Sequence, residues 1–206
     1  GDSFSIFNDA LEYMHRSRFA PPDQRYYFST ADTGFFQNWF LNGITADQRQ
    51  KLIDVADQLH LLGAGITQPD NLTPNGESFI RNYLVGAHFV TNAQILPKID
   101  PIVWIPDDFG HDSQLPATVR ALGYKYIVFS RIPGSENQGP GVAETLSGVP
   151  SPANYLQNIV KEVDFNWRAD DGSTSFSHFL EHTYCQGLGV DIQHFKPAKK
   201  GDHCEC

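Results

Sequence analysis

Pro101-Ile-Val-Trp-Ile105, followed by Pro106-Asp-Asp-Phe-Gly-His-Asp112, is the stretch on which the fold turns. A short unbroken apolar run marks a strand covered on both faces, as in a mainly parallel sheet. A polar loop stands at its C-terminal end. From Ser113 a helix is predicted to about Leu122 with Gly123 as its cap, and Tyr124 to Ser130 reads as the next strand. The pattern is a β-loop-α-β unit.

Towards the N-terminus, Phe4, Phe7, Leu11 and Met14 recur at helical spacing, and the Pro21-Pro22 pair stops that helix. Arg25 to Thr30 reads as a strand, and Phe35, Phe36, Trp39 and Phe40 as an aromatic helix whose rings, like Trp104, are expected in the core. Thr45 and Gln48 form a capping box for a helix that Leu52, Ile53, Val55, Ala56, Leu59 and Leu62 carry as far as a cap at Gly63. Gln68 to Gly76 is loop, and Phe79, Ile80, Tyr83, Leu84 and Ala87 predict another amphipathic helix. Towards the C-terminus, Pro133 to Pro152 reads as loop, and Ser151 and Pro152 open a helix through Val160. Val163 to Arg168 is a further strand, Asp170-Asp171-Gly172 a turn, and Phe176 to Tyr184 a helix or loop. Strands alternating with helices, without a linker or repeat, make one α/β domain over residues 1–192 and a tail over 193–206.

The 206 residues suffice to bury a core, and no apolar run approaches a membrane span. Fifteen Lys and Arg against 24 Asp and Glu leave a formal charge of −9, which disfavours nucleic acid and anionic membrane surfaces as partners. A neutral or cationic ligand suits it better. The aromatic content, 13%, exceeds what a small core needs, and aromatic faces stack on sugar rings. Cys185, Cys204 and Cys206 form no even disulfide framework, and the compartment is left open. The chain begins Gly1-Asp2-Ser3 with neither Met nor a signal segment, so it is expected to be a piece of a longer reading frame.

In α/β folds the ligand crevice lies beyond the C-terminal ends of the strands. The loop Pro106–Asp112 stands there, with Asp107, Asp108, His111 and Asp112 within six residues, and Arg131 follows the next strand on the same rim. A structural reading is open: Asp107 or Asp108 caps the turn, His111 is a satisfied structural histidine and Arg131 pairs with an Asp. Two chemical readings stand beside it. A carboxylate attacks carbon and also binds a metal, or the acids hold a divalent ion that activates water.

Trp104-Ile-Pro-Asp-Asp-Phe-Gly-His111-Asp-Ser-Gln-Leu-Pro116 resembles the nucleophile segment of glycoside hydrolase family 38, the retaining α-mannosidases. The separation from Asp107 to Arg131 is similar too. Arg25-Tyr-Tyr-Phe28, Phe35-Phe-Gln-Asn-Trp39, Gln68-Pro-Asp70, Gly76-Glu-Ser-Phe-Ile-Arg81 and Phe165-Asn-Trp-Arg168 resemble further family segments in the right order, from about residue 5 to residue 190. The resemblance implies a seven-stranded α/β barrel-like catalytic domain, incomplete in this chain, that hydrolyses terminal α-mannosides with zinc through a covalent intermediate. Asp107 is then the nucleophile and a zinc ligand, with Arg131 supporting it. Phe109 packs beneath the sugar, Asp70 reaches substrate hydroxyls and Tyr184 lines the site. Asp108 stabilises the loop, Gly110 permits its tight backbone and His111 orients it. The substrate is a mannose-containing glycan or a small mannoside.

The family's zinc-binding His-x-Asp pair has no counterpart before residue 25, and the tail Lys199–Cys206 matches neither the remaining His ligand nor the acid/base Asp. The isolated chain is therefore expected to be inactive, needing other segments of the same enzyme. Two rivals accompany this reading: a non-catalytic carbohydrate-binding relative and a metal-dependent carbohydrate deacetylase.

Overall fold

The computed structural model describes residues 2–93, 99–134 and 148–181. Tyr184, the three cysteines and the 193–206 tail lie outside the described residues, as does most of the Pro133–Pro152 loop.

Helix α1 (Asp2–Ser17) buries Phe7, Ala10, Leu11 and Met14 along one face. It ends before the Pro21-Pro22 pair, as expected. Strand β1 (Phe28–Thr30) begins later than the sequence suggests. Arg25 is drawn out of the strand: its Nε donates to the Ala20 carbonyl at 2.9 Å and its guanidinium meets Asp57 at 3.2 Å. Helix α2 (Thr33–Asn42) follows, and its ring pair divides: Phe36 is buried but Phe35 is 59% exposed.

Helix α3 (Ala46–Asp54) opens with the expected capping box: Gln48 N–H donates to Thr45 Oγ1 at 3.2 Å and Thr45 N–H to Gln48 Oε1 at 2.9 Å. Such a cap stabilises a helix by about 1 kcal/mol. The helix does not run on to Gly63. A 3₁₀ turn at Ala56–Gln58 leads into strand β2 (Leu59–Leu61). Gln58 enforces the break: its buried Nε2 donates to the carbonyls of Met14 (3.0 Å) and Tyr26 (2.8 Å), tying the turn to α1 and to the approach to β1. Leu59 and Leu61 then point inward with His60 outward, the alternation of a strand.

Helix α4 (Gly76–Ala93) precedes β3 (Ile102–Ile105), α5 (Leu115–Ala121) and β4 (Tyr126–Phe129), the expected β-loop-α-β unit. Val103 and Ile105 of β3 are buried, but Ile102 and Trp104 are half-buried, so this strand is fully covered on one face only. Ser151 caps a short helix α6 (Pro152–Asn154), whose chain continues as a π-helical segment, Tyr155–Val160. Strands β5 (Asp164–Arg168) and β6 (Thr174–Phe179) are joined by the expected turn. Phe176 to Phe179 is thus strand, not the helix or loop predicted, because Ser175, Ser177 and Phe179 alternate into the interior.

Parallel β1–β2 form one small sheet, and β3–β4–β6 run parallel with β5 antiparallel at their edge. A parallel bridge between Leu62 and Asp100 links the two sheets. The six strands of the described residues form a mixed α/β fold and no closed barrel.

Helix α4 joins the two cores, with Val90 among Phe7, Phe36, Trp39 and Leu61, and Phe79 and Tyr83 among Val103, Ile105, Ile127 and Phe129. Gly86 is what lets it lie so close to the chain after β2: a Cβ there would stand 1.8 Å from the Ala64 carbonyl oxygen.

Candidate active site

The parallel strands discharge their polar loops on one rim. Asp32 follows β1, Gln68 and Asp70 lie in the loop after β2, Asp107 and Asp108 follow β3, and Arg131 follows β4. Asp32, Asp70, Asp107 and Asp108 line a cleft of about 410 Å³ together with Phe35, Gln68 and Ile105. Asp32 and Phe35 add to the site residues expected from the sequence. Asp32 carried the same signal as Asp107, an acid just past a strand, whereas Phe35 sits in an aromatic run whose inward and outward rings look alike in sequence.

Asp107 is the acid turned to solvent. Its carboxylate accepts from Arg131 Nε, and the side chains are 48% and 16% exposed respectively. The Arg131 guanidinium also lies 4.6 Å above the Phe109 ring, a cation–π contact that keeps the ring outward, 66% exposed. Asp107, Arg131 and Phe109 are thus brought together.

Asp108 points the other way and is buried. It accepts from the Asn71 backbone N–H (3.2 and 3.3 Å to its two oxygens) and from the Asn71 side-chain amide. Burial pushes its carboxyl up to about 7, against the Asn71 hydrogen bond, and the neighbouring charge of Asp70 raises it further. Asp70 is held below the usual carboxylate range mainly by the Leu72 N–H at 2.9 Å, seconded by Thr73 N–H at 3.1 Å. With Leu72 and Thr73 on one oxygen, Asp70 shapes its own turn while facing the cleft.

His111 lies under the loop between Phe129 (ring centroids 5.1 Å) and Trp167 (5.7 Å). Its Nε2–H donates to the Arg131 backbone carbonyl at 2.9 Å; a carbonyl only accepts, which fixes the tautomer. Burial holds its imidazole below the ordinary value, which favours the neutral ring. Gly110 makes the bend between Phe109 and His111 at φ +137°, and a Cβ there would meet Leu72 Cδ1 at 2.6 Å. The expected orienting role of His111 and the tight backbone of Gly110 match this geometry.

A metal is a separate question. Asp107 is one oxygen donor, already engaged by Arg131, and among the described residues no group of three His, Cys, Asp or Glu side chains stands close enough to hold an ion. The described residues do not by themselves fit a zinc site.

An exposed acid paired with an arginine, just past a parallel strand and lining an acidic cleft, is the placement of a ligand or active site in an α/β domain. The chain belongs to the glycosyl hydrolases family 38, whose N-terminal domain it matches over residues 3–198. It is 25% identical over 185 residues to alpha-mannosidase C of Dictyostelium discoideum, covering 87% of this chain and 16% of that protein. It is also 25% identical over 118 residues to alpha-mannosidase 2C1 of Mus musculus, covering 57% of this chain and 9% of that protein. The crystal structure of an alpha-mannosidase from Enterococcus faecalis shares the fold with a TM-score of 0.63 at 14% identity, over 88% of this chain and 18% of that one. The chain therefore spans less than a fifth of the length of these relatives.

Proposed function

We propose that this chain carries the nucleophile of a retaining α-mannosidase and that Asp107 is that nucleophile. The observation that supports it most directly is the pairing of a solvent-facing Asp107, just past β3, with Arg131, just past β4. An arginine beside a carboxylate favours its ionised form and aims it. In the first half-reaction a carboxylate oxygen of Asp107 bonds to the anomeric carbon as the glycosidic bond breaks, and that bond's electrons leave with the departing oxygen, which is protonated. In the second, water releases mannose and restores the carboxylate. The proton taken up by the departing oxygen comes from a general acid other than Asp107.

Asp70 faces the cleft and serves as acceptor for sugar hydroxyls, while Phe109, next to Asp108 and against the Arg131 guanidinium, offers an exposed ring beneath the substrate. The parallel strands are read as part of a seven-stranded α/β barrel, because parallel sheets are ordinarily covered on both faces and β3 here is not. Residues 1–192 are the partial catalytic domain in this reading. The substrate is a terminal α-mannoside, as the names of the relatives suggest.

The test is hydrolysis of an aryl α-mannoside by the longest natural form of the protein and by its Asp107→Asn variant. Turnover is expected to be lost while the circular dichroism spectrum is kept, and a slow fluorinated mannosyl substrate should label Asp107 covalently. Near-normal hydrolysis by Asp107→Asn overturns the assignment. Mannoside binding with no turnover in any form points instead to a carbohydrate-binding relative.

A further inference from the structure

We infer that Asn71 is a positioning residue: its one side-chain amide braces the loop that presents Asp107, and the residue at 108 is matched to it. Asn71 stands in the loop after β2, while Asp107 follows β3, so the contact crosses between two strand ends. Three of the four hydrogen-bonding positions of the amide are engaged. Oδ1 accepts from the Asp112 backbone N–H at 2.6 Å, and Nδ2 has two hydrogens and two acceptors, an Asp108 carboxyl oxygen and His111 Nδ1 at 3.3 Å.

The orientation of the amide follows from its partners rather than from choice. A backbone N–H can only donate, which places Oδ1 at Asp112. His111 gives its Nε2–H to the Arg131 carbonyl, so its Nδ1 carries a lone pair and accepts from Nδ2. The chain of contacts thus runs from Asn71 through His111 to the main chain of Arg131, and from Asn71 to Asp108, the residue next to Asp107. Asn71 reaches the Asp107–Arg131 pair at one remove, through the neighbour of Asp107 on one side and the peptide of Arg131 on the other.

A carboxylate at position 71 cannot do this. It has no hydrogen for Asp108 or for neutral His111, and it sets a second acid against a side chain that is 1% exposed. In this chain an acid at 71 would thus meet a second, buried acid at 108, and replacing Asp108 by Asn would remove that opposition. The role of the brace in catalysis rests on Asp107 being the nucleophile; its geometry does not.

The experiment compares the wild-type chain with Asn71→Ala, Asn71→Asp and Asn71→Asp/Asp108→Asn. Nitrogen-15 NMR reads the His111 tautomer and the Arg131 Nε–H resonance, and hydrolysis is measured in the longest natural form. The wild type is expected to show His111 as the Nε2–H tautomer and Arg131 Nε–H displaced by its carboxylate partner. Asn71→Asp should return the Arg131 signal towards that of an unpaired guanidinium or fail to fold, and Asp108→Asn should restore it. Asn71→Ala, which adds no charge, should lower kcat on the order of 10- to 100-fold with little change in KM. An Nδ1–H tautomer in the wild type, an Arg131 signal unmoved in Asn71→Ala, or no recovery in the double variant overturns the brace. Active Asp107→Asn with these NMR shifts intact instead removes the nucleophile assignment and leaves the brace standing.

Discussion

Asp107 and Asp108 are neighbours in the chain and opposites in environment: the side chain of Asp107 is 48% exposed and paired with Arg131, and that of Asp108 is 1% exposed and held by Asn71. One acid faces solvent beside a guanidinium. The other is pushed towards its neutral form and anchors the loop.

Arg131→Met should separate chemistry from stability. The Arg131–Asp107 pair is partly exposed, and such pairs contribute roughly 0–1 kcal/mol, so thermal unfolding should shift by only a few degrees. Hydrolysis of an aryl α-mannoside should fall far more, because Asp107 loses its partner. A variant that melts early but turns over normally per folded molecule would contradict the assignment.

Stability should depend on pH through groups of opposite sign. Asp108 titrates near 7 folded and near 3.9 unfolded, so its contribution is complete below about pH 4 and is lost as pH rises to about 7. His111 is lowered by burial, so its contribution is complete above about pH 6.5 and is lost as pH falls through its folded value. Asp70, lowered by its backbone hydrogen bonds, contributes above about pH 4 and loses that contribution in stronger acid. Urea midpoints should therefore be highest in mild acid, and Asp108→Asn should flatten the decline between pH 4 and 7. A variant whose midpoints run parallel to wild type over that range counts against the buried acid.

Gly86→Ala reverses the usual sign for a helix. Replacing an interior glycine by alanine ordinarily stabilises by about 1 kcal/mol. Here the new methyl falls 1.8 Å from the Ala64 carbonyl oxygen, a backbone atom, so α4 must move away from the chain after β2. Chemical denaturation should show a loss of about 1–3 kcal/mol. A stabilised variant would show that α4 is free to slide.

Trp39→Phe should cost about 1–3 kcal/mol in the same assay, since it removes volume beside Phe7 and Phe36 and leaves Asn8 without the indole N–H that it accepts at 2.9 Å. Aryl-mannoside KM should be unchanged, because Trp39 is 1% exposed and lies in the core rather than the cleft.

The capping box at Thr45, the helix of Leu115 and the strand of Val103 were legible because each has a strong local cause: a reciprocal side-chain bond, a proline start, an apolar run. Leu59 to Leu62 was not, since leucines at that spacing satisfy helical periodicity as well as the strand that Gln58 imposes from a distance. β6 was hidden by an inverted alternation, with Ser175 and Ser177 inside and Phe176 outside. At the site, Asp107, Arg131 and Asp70 follow from strand ends and from resemblance to a known family, and their meeting on one rim matches. Asn71 did not emerge as a hub, because its partners are 37, 40 and 41 residues away and an isolated asparagine in a loop looks like turn chemistry.

His111 grips position 131 by its peptide oxygen and not by its side chain. The platform beneath the loop therefore does not depend on the guanidinium, and a side-chain change at 131 should leave that anchorage standing even where it costs Asp107 its partner.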